Sequence, residues 1–319
     1  AGLKKDYLGM TGKFHRSWGE FGGYKTPEAL TYECAAMLAN GARVSVGDQL
    51  HPLGKMDMDT YRTIGKAYSY VEKIEEYCFD TEETAPLGVM VSGDEARNEA
   101  MAKLLLDCQI DFDVVHGPQD LERFHTVILP DRYRLGKSMG QAFDAYLKQG
   151  GRALLLGGSG LAQEAEEFAF DTSLSYQGKS PYDVDYFELD KEPLEDIPSS
   201  PVLCYRSAHM VKGEGKVYSS VREPYFNRTY GAYCSHCNTP YQSRQASYPG
   251  AILQGNILYA AHELASMYAE YGVTYHRRYF QWLLRKIYQQ DRIRVLMPSQ
   301  GRIHFVKRPA RRQYVLHLL

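Results

Sequence analysis

Long apolar runs are missing from this chain of 319 residues: none approaches the roughly 18 that a membrane-spanning helix needs. The opening AGLKKDYLGM has no apolar core, so it does not read as a signal peptide. It also lacks an initiator Met, and the closing YVLHLL reads like an unfinished strand; the expectation is the middle or tail of a longer protein. A strong charge of either sign is absent too. The formal net charge of -2 excludes a generally basic nucleic-acid binder. Cysteine is sparse, six in all, and forms no dense disulfide framework. Cys34, Cys78 and Cys108 fall on apolar stripes of predicted helices, where Cys acts as a small hydrophobe. That pattern favours a reducing compartment, and a cytoplasmic location is the expectation. Tryptophan is nearly absent, at 2 residues, whereas Tyr reaches 26, more than twice the 12 Phe. Tyr-rich surfaces suit polar, ring-stacking ligands such as sugars; the plainer reading is that Tyr replaces Phe at half-buried sites.

What is present fits about two domains at ~150 residues each. The composition, 44% hydrophobic and 24% charged, is ordinary for a folded protein. Charge is unevenly spread: residues 276–319 hold eleven Lys and Arg against one acid, so the remainder is acidic. A basic tail can seek an anionic partner or pack beside the acidic body.

Along the chain, residues 7–14 read as a strand, followed by the loop HRSWGEFGGYK. Thr26-Pro27-Glu28 starts a helix, with Thr26 as N-cap and Pro27 in the first turn, and Asn40-Gly41 ends it. ARVSVG (42–47) is a second strand, and the loop DQLHPLGKMD leads to a helix from about Asp59 to Cys78. Ile64, Ala67, Tyr68, Val71, Ile74 and Cys78 share one face of that helix. Both loops lie at carboxyl ends of strands, where α/β folds place their sites. After the acidic stretch 80–86, strands at 87–91, 111–115, 125–130 and 152–157 alternate with helices at 95–109 and 137–149. With no β-hairpin signal, this argues for an open doubly wound sheet. Residues 162–250 read as excursions and short strands. Residues 251–272 read as a strand, a Gly-Asn turn and a helix with Ile257, Ala261, Leu264 and Tyr268 inward. A helix near 277–289 follows, and IRVLMP and RIHFVKR alternate like strands of a further β unit.

Several motifs fail on spacing. GVMVSG (88–93) is neither a P-loop nor GxGxxG. GGSG (157–160) does not fit GxSxG, so Ser159 reads as part of a tight turn. Cys234-Ser-His-Cys237 lacks a second pair of zinc ligands, and Cys204 and His209 are too far away in sequence to complete a motif. The Pro of Asn238-Thr-Pro240 argues against a redox CxxC. His262-Glu263 is no zinc-protease motif, because Ser266 stands where the second His belongs. No metal and no cofactor are expected. The two loops of the first segment are richer. His15, Trp18, Glu20, Tyr24 and Lys25 follow one strand; Asp48 and His51 follow the next. An indole face, carboxylates and imidazoles suit a sugar site: the ring stacks on a pyranose, and a carboxyl beside it can act as an acid. The same residues could instead tie the loops together.

Residues 14–68, with Ser17-Trp18-Gly19-Glu20, then Gly47-Asp48-Gln49-Leu50-His51-Pro52 and Gly54-Lys55, resemble the closing quarter of the catalytic barrel in fucosidase-like glycoside hydrolases. That family shows a "SWGY" loop, a helix, a strand ending in "NxGP", then "DG" and a helix. Here Glu20 replaces Tyr, and Gly47-Asp48 replaces the Asn-containing turn. The chain is similar to hypothetical glycosyl hydrolases whose barrel is followed by a β-galactosidase trimerisation domain, a flavodoxin-like relative of the class I glutamine amidotransferases. Residues 85–272, with YCSHCNTPY and GNILYAAH, carry that second resemblance.

The resemblance implies an α/β fold: 1–84, the last two βα units of a (β/α)8 barrel; 85–275, the amidotransferase-like domain; 276–319, a linker helix and the start of a β-sandwich. It implies a glycosidase fragment, inactive alone because the nucleophile lies on an earlier strand. Within it, Glu20 is the candidate catalytic carboxylate, Trp18 the stacking platform, and His15, Tyr24, Asp48 and His51 the other substrate-binding candidates. The implied partners are a carbohydrate substrate and further copies of the chain, with neither nucleic acid nor membrane. The competing class is a non-catalytic carbohydrate-binding or oligomerisation scaffold.

Overall fold

A computed structural model describes residues 6–189 and 196–319. The chain divides into two compact units, one running to Thr84 and rejoined by Val295–Leu319, the other spanning Ala85–Arg294.

The first unit opens with β1 (Leu8–Gly12), α1 (Pro27–Ala39), β2 (Arg43–Gly47) and α2 (Met58–Ile74). The strands pair in parallel, from Leu8 opposite Arg43 to Gly12 opposite Gly47. The Thr26 side chain accepts the Ala29 amide at 3.2 Å, and Pro27 needs no hydrogen-bond donor there, so α1 starts as its sequence implies. Leu30, Cys34 and Leu38 of α1 pack on Ile64, Ala67 and Val71 of α2 at the three-four spacing of helix faces. Gly9 lets α1 lie close against β1, since a side chain there would meet the Met37 sulfur at 2.7 Å. The acidic stretch contributes a short β3 (Glu82–Glu83).

The second unit contains β4 (Leu87–Met90), α3 (Glu95–Asp107), β5 (Asp113–Val115), β6 (Thr126–Leu129), α4 (Lys137–Lys148) and β7 (Arg152–Leu156). Short strands follow: β8 (Ser175–Lys179), β9 (Asp185–Leu189), β10 (Val202–Cys204), β11 (His209–Lys212) and β12 (Lys216–Arg222). Then come β13 (Pro249–Gln254), β14 (Ile257–Ala260), α5 (Leu264–Tyr271) and α6 (Thr274–Ile287). The main sheet runs β10-β9-β12-β13-β14-β7-β6-β4-β5. Its parallel part, β5-β4-β6-β7-β14, has the order 2-1-3-4-5 when counted along the chain, the flavodoxin-like doubly wound order. Alternation divides its side chains between two cores. Leu154 and Leu156 face α3, α5 and α6, whereas Ala153 and Leu155 face α4. β8 and β11 form a separate antiparallel pair.

Three expectations change. The apolar run after Gly255-Asn256 is a strand before it is a helix. β13 and β14 form a hairpin, and β14 pairs in parallel with β7, so α5 begins only at Leu264. Four apolar residues between a turn and a helix carry no period of their own, and pairing with a central strand decides them. The helix near 277–289 is not a linker, because Phe280, Leu283, Leu284 and Ile287 are buried in the second unit's core. The IRVLMP stretch forms no strand. RIHFVKR does, as β15 (Ile303–Arg308), which pairs with β16 (Gln313–Leu318) on one side and β3 on the other within the first unit.

Candidate functional site

The loops after β1 and β2 enclose a cavity of ≈ 390 Å³ at the carboxyl ends of these strands. Lys13, the residue after β1 and only 5% exposed, lines it. The Lys13 ammonium donates to Thr60 Oγ1 at 3.2 Å and lies 3.8 Å from Asp48 and 3.9 Å from Asp57. It also faces the Tyr24 ring at 4.6 Å, a cation–π contact. Phe21 and His51 meet edge to face at 5.3 Å on the cavity wall. A buried cation flanked by two carboxylates and aromatic edges offers the mixture of donors, acceptors and ring faces that polyhydroxylated rings use.

Asp57 is the most strongly organised carboxylate of this site. It accepts from the Tyr24 hydroxyl and from the Thr60 hydroxyl, each at 2.8 Å, and caps α2 through the Asp59 amide. The Tyr24 hydrogen bond first, then that of Thr60, lowers its pKa to about 2. The same bond raises the Tyr24 pKa. A carboxyl so held is an acceptor and a fixed negative charge, not a proton donor near neutrality. Because the folded-state pKa is depressed, the stabilisation is complete above the unfolded value of ~3.9 and disappears as the pH falls towards 2. Asp57→Asn is therefore expected to melt below the wild type at pH 6, with the gap closing between about pH 4 and 2. Thermal melts across that range check it; a gap constant with pH contradicts it.

Of the residues singled out from sequence, Tyr24, Asp48 and His51 line the cavity. Trp18 is 54% exposed; its indole N–H donates to Gln49 at 3.3 Å, and its ring rests on Gly47, where any side chain would meet it at 2.6 Å. His15 is exposed and outside the cavity lining. Glu20 is also outside that lining: its carboxylate accepts the Arg16 amide at 2.9 Å within its own loop. Sequence reasoning missed Lys13 and Asp57. The Asp57-Met-Asp59 start of a helix was a readable capping signal for Asp57. Nothing local marks a strand-end Lys as buried.

A second cluster lies at the carboxyl edge of the parallel strands in the other unit, and it too was missed. Glu263, just after β14, is only 2% exposed. It accepts from Arg206 at 2.7 Å and Lys179 at 3.3 Å, and Arg132 lies 3.3 Å away. Burial alone would raise its pKa, but the His209 and Arg206 hydrogen bonds and the surrounding cations hold it well below the usual range. His209 bridges Glu263 at 3.1 Å and the Tyr176 hydroxyl at 2.9 Å. An ionised carboxylate only accepts, so the imidazole donates through Nε2 and accepts the Tyr176 proton at Nδ1. Burial lowers the His209 pKa, in keeping with a neutral ring. Beside the cluster, burial pushes the Asp131 carboxyl up to about 6, against the Ser266 amide that it accepts at 2.7 Å.

The turn after β7 closes on this cluster. Gly158 has φ +74°, and a side chain there would come within 2.3 Å of His209 Nδ1. Ser159 is buried and accepts the Leu156 amide at 2.9 Å, so it serves the turn. In the amidotransferase-like reading, the elbow would have to present a Cys. Here the position facing the imidazole has no side chain. Ammonia release from glutamine is expected to be absent, and a coupled glutamate dehydrogenase assay that detects it would contradict this assignment.

The CxxC lies on an irregular loop, with Cys234 half-buried and Cys237 exposed. Of the Tyr residues, Tyr259, Tyr279 and Tyr288 fill the core, while Tyr225, Tyr230 and Tyr233 are exposed. Among the described residues, no helix is long and apolar enough to cross a membrane.

No family model and no curated protein matches the chain. Solved structures do. The α-L-fucosidase isoenzyme 2 from Paenibacillus thiaminolyticus is 32% identical over 98% of this chain and 50% of its own, with a TM-score of 0.91. The β-galactosidase from Bacillus circulans sp. alkalophilus is 13% identical over 94% of this chain and 47% of its own, at 0.66. The β-galactosidase from Rahnella sp. R3 is 13% identical over 95% and 48%, also at 0.66. The chain thus spans about half the length of the structures it matches, and the two β-galactosidases share its fold. The resemblance carried by residues 14–68 therefore extends over the chain as a whole: it is similar to about half of an α-L-fucosidase of the isoenzyme 2 type.

Proposed function

We propose that this chain is the carboxyl-terminal part of a glycoside hydrolase acting on O-glycosidic bonds, with an α-L-fucoside as the first substrate to try. The observation that carries the reading is 32% identity to the fucosidase across 98% of the chain, together with the cavity at the ends of β1 and β2. In this reading, β1-α1-β2-α2 are the last βα units of a (β/α)8 barrel. Tyr24, Asp48 and His51, with Lys13 and Asp57, bind sugar hydroxyls, and Trp18 offers its exposed ring beside them. His15 and Glu20 stand further out on the same loop, with Glu20 as the candidate acid/base carboxylate. The nucleophile comes from an upstream strand, so catalysis belongs to the longer protein. The amidotransferase-like unit does no amidotransferase chemistry and serves assembly of a homo-oligomer, as the resemblance to a trimerisation domain implies.

The test is a screen of the full-length protein on nitrophenyl α-L-fucoside, β-D-galactoside and a wider glycoside panel, with Glu20→Gln alongside. Turnover that collapses in Glu20→Gln while the melting temperature holds supports the whole reading. Turnover unchanged in the variant removes Glu20 from the mechanism but keeps the hydrolase. No turnover on any glycoside favours a carbohydrate-binding or oligomerisation scaffold. Light scattering coupled to size exclusion decides the assembly; a monomer contradicts the role given to the second unit.

A further inference from the structure

The cavity at the ends of β1 and β2 has two chemically different sides. The polar side carries Lys13, Asp48 and Asp57. The other side is apolar: Phe21, Leu50 and Leu53 belong to the same lining, and all three are exposed, Leu53 at 75%. Phe21 and Leu53 stand on tight turns. The Gly23 amide donates to the Glu20 carbonyl at 3.0 Å, which closes a turn with Phe21 as its second residue. Gly22, at φ +82°, takes the left-handed third position of that turn. The Gly54 amide donates to the His51 carbonyl at 2.9 Å, and the Leu53 amide to His51 Nδ1 at 3.2 Å, so Leu53 is fixed on a second turn. Positions of this kind ordinarily hold Gly, Pro, Asn, Asp or Ser. A phenylalanine and a leucine there leave apolar area in water, and apolar area gathered around one cavity marks a binding surface.

We propose that this apolar side is an aglycone subsite, and that the substrates are glycosides of apolar alcohols rather than glycans extended by further sugars. The inference rests on the glycosidase reading and names its substrate class. A molecule that joins a polyol to a hydrocarbon matches both sides of the cavity at once. Its hydroxyls meet the Lys13 ammonium and the carboxylates, while its aglycone covers Phe21, Leu50 and Leu53. A second sugar in that place would set hydroxyls against leucine side chains, which offer no hydrogen-bond partner. The volume of ≈ 390 Å³ falls in the range of pockets for drug-sized ligands, with room for a sugar ring and part of an aglycone. The contact with the aglycone is made in the ground state and kept in the transition state, so it raises kcat/KM through binding.

The experiment compares methyl and hexyl α-L-fucoside, and the same pair of β-D-galactosides, on the full-length protein. Methanol and hexanol are leaving groups of nearly equal acidity, so only the chain length differs. The expected result is a kcat/KM about 30-fold higher for the hexyl glycoside, which burial of roughly half of the five added methylenes supplies. In Leu50→Ser/Leu53→Ser the ratio of the two is expected to fall below about 5. Both leucines are exposed, so the fold does not depend on them. Isothermal titration calorimetry with the same compounds reads binding, and light scattering reads the molecular mass of the variant. Turnover without a hexyl preference overturns the subsite and leaves the hydrolase standing. Hexyl-selective binding without turnover, lost in the variant, keeps the subsite and removes the hydrolase. A hexyl preference that survives in the variant overturns the subsite. So does a change of molecular mass in the variant, which would make the apolar side a contact between chains. Neither turnover nor binding overturns both readings.

Discussion

Glu263→Gln is expected to lower the melting temperature of the second unit by about 6–12 °C. The carboxylate is the shared acceptor for His209, Arg206 and Lys179, with the Arg132 guanidinium beside it. Arg206 keeps Glu270 at 2.7 Å, so it loses least. The amide keeps the shape, but half of it donates, and a donor facing three cations and the Nε2–H of His209 is repulsive. Removing one partner of a buried ion network costs ~3 kcal/mol or more. For a unit of this size, each 1 kcal/mol moves the midpoint by roughly 2–4 °C. The side chains of Arg132, Lys179 and Arg206 are partly exposed and can recover water, which keeps the estimate at the low end of that class. Differential scanning calorimetry reads the result directly. A shift under 2 °C would mean that the network is solvated enough to contribute little.

On the proposed glycosidase reading, Lys13→Met is expected to reduce kcat/KM of the full-length protein by about 100-fold, equivalent to ~2.7 kcal/mol of transition-state stabilisation. The buried ammonium lies within 4 Å of both Asp48 and Asp57 and faces the Tyr24 ring. Without it, Asp48 and Asp57 lose the ammonium that lies within 4 Å of each, and the cavity wall loses a donor. Met keeps the aliphatic volume, so packing against Phe14 and Tyr24 survives. Circular dichroism and melting on the same samples separate the two effects. A variant with wild-type turnover would place the substrate elsewhere and return Lys13 to a purely structural role.

Much of the first unit was legible because its signals are local. Thr26 and Pro27 set the start of α1, Asn40-Gly41 its end, and the three-four spacing of Leu30, Cys34 and Leu38 its buried face. The loops after β1 and β2 stood out because aromatic, acidic and imidazole side chains are concentrated there. What failed was non-local. The run Ile257–Ala260 reads equally as strand or helix until β7 lies beside it, and α6 looks like a linker until the core it enters is known.

The sites divide along the same line. The sequence alone determined that two βα units precede a doubly wound domain, and that a polar, aromatic loop pair marks the first. It did so because helix caps, turn residues and hydrophobic periods act over a few residues. Tertiary structure alone decided that Lys13 rather than Glu20 lines the cavity. It alone brought Glu263 against His209 from 54 residues away, and His262 against Asp185 from 77. Burial and ion pairing depend on which strands become neighbours, and that order in a mixed sheet is written in no single segment of the chain.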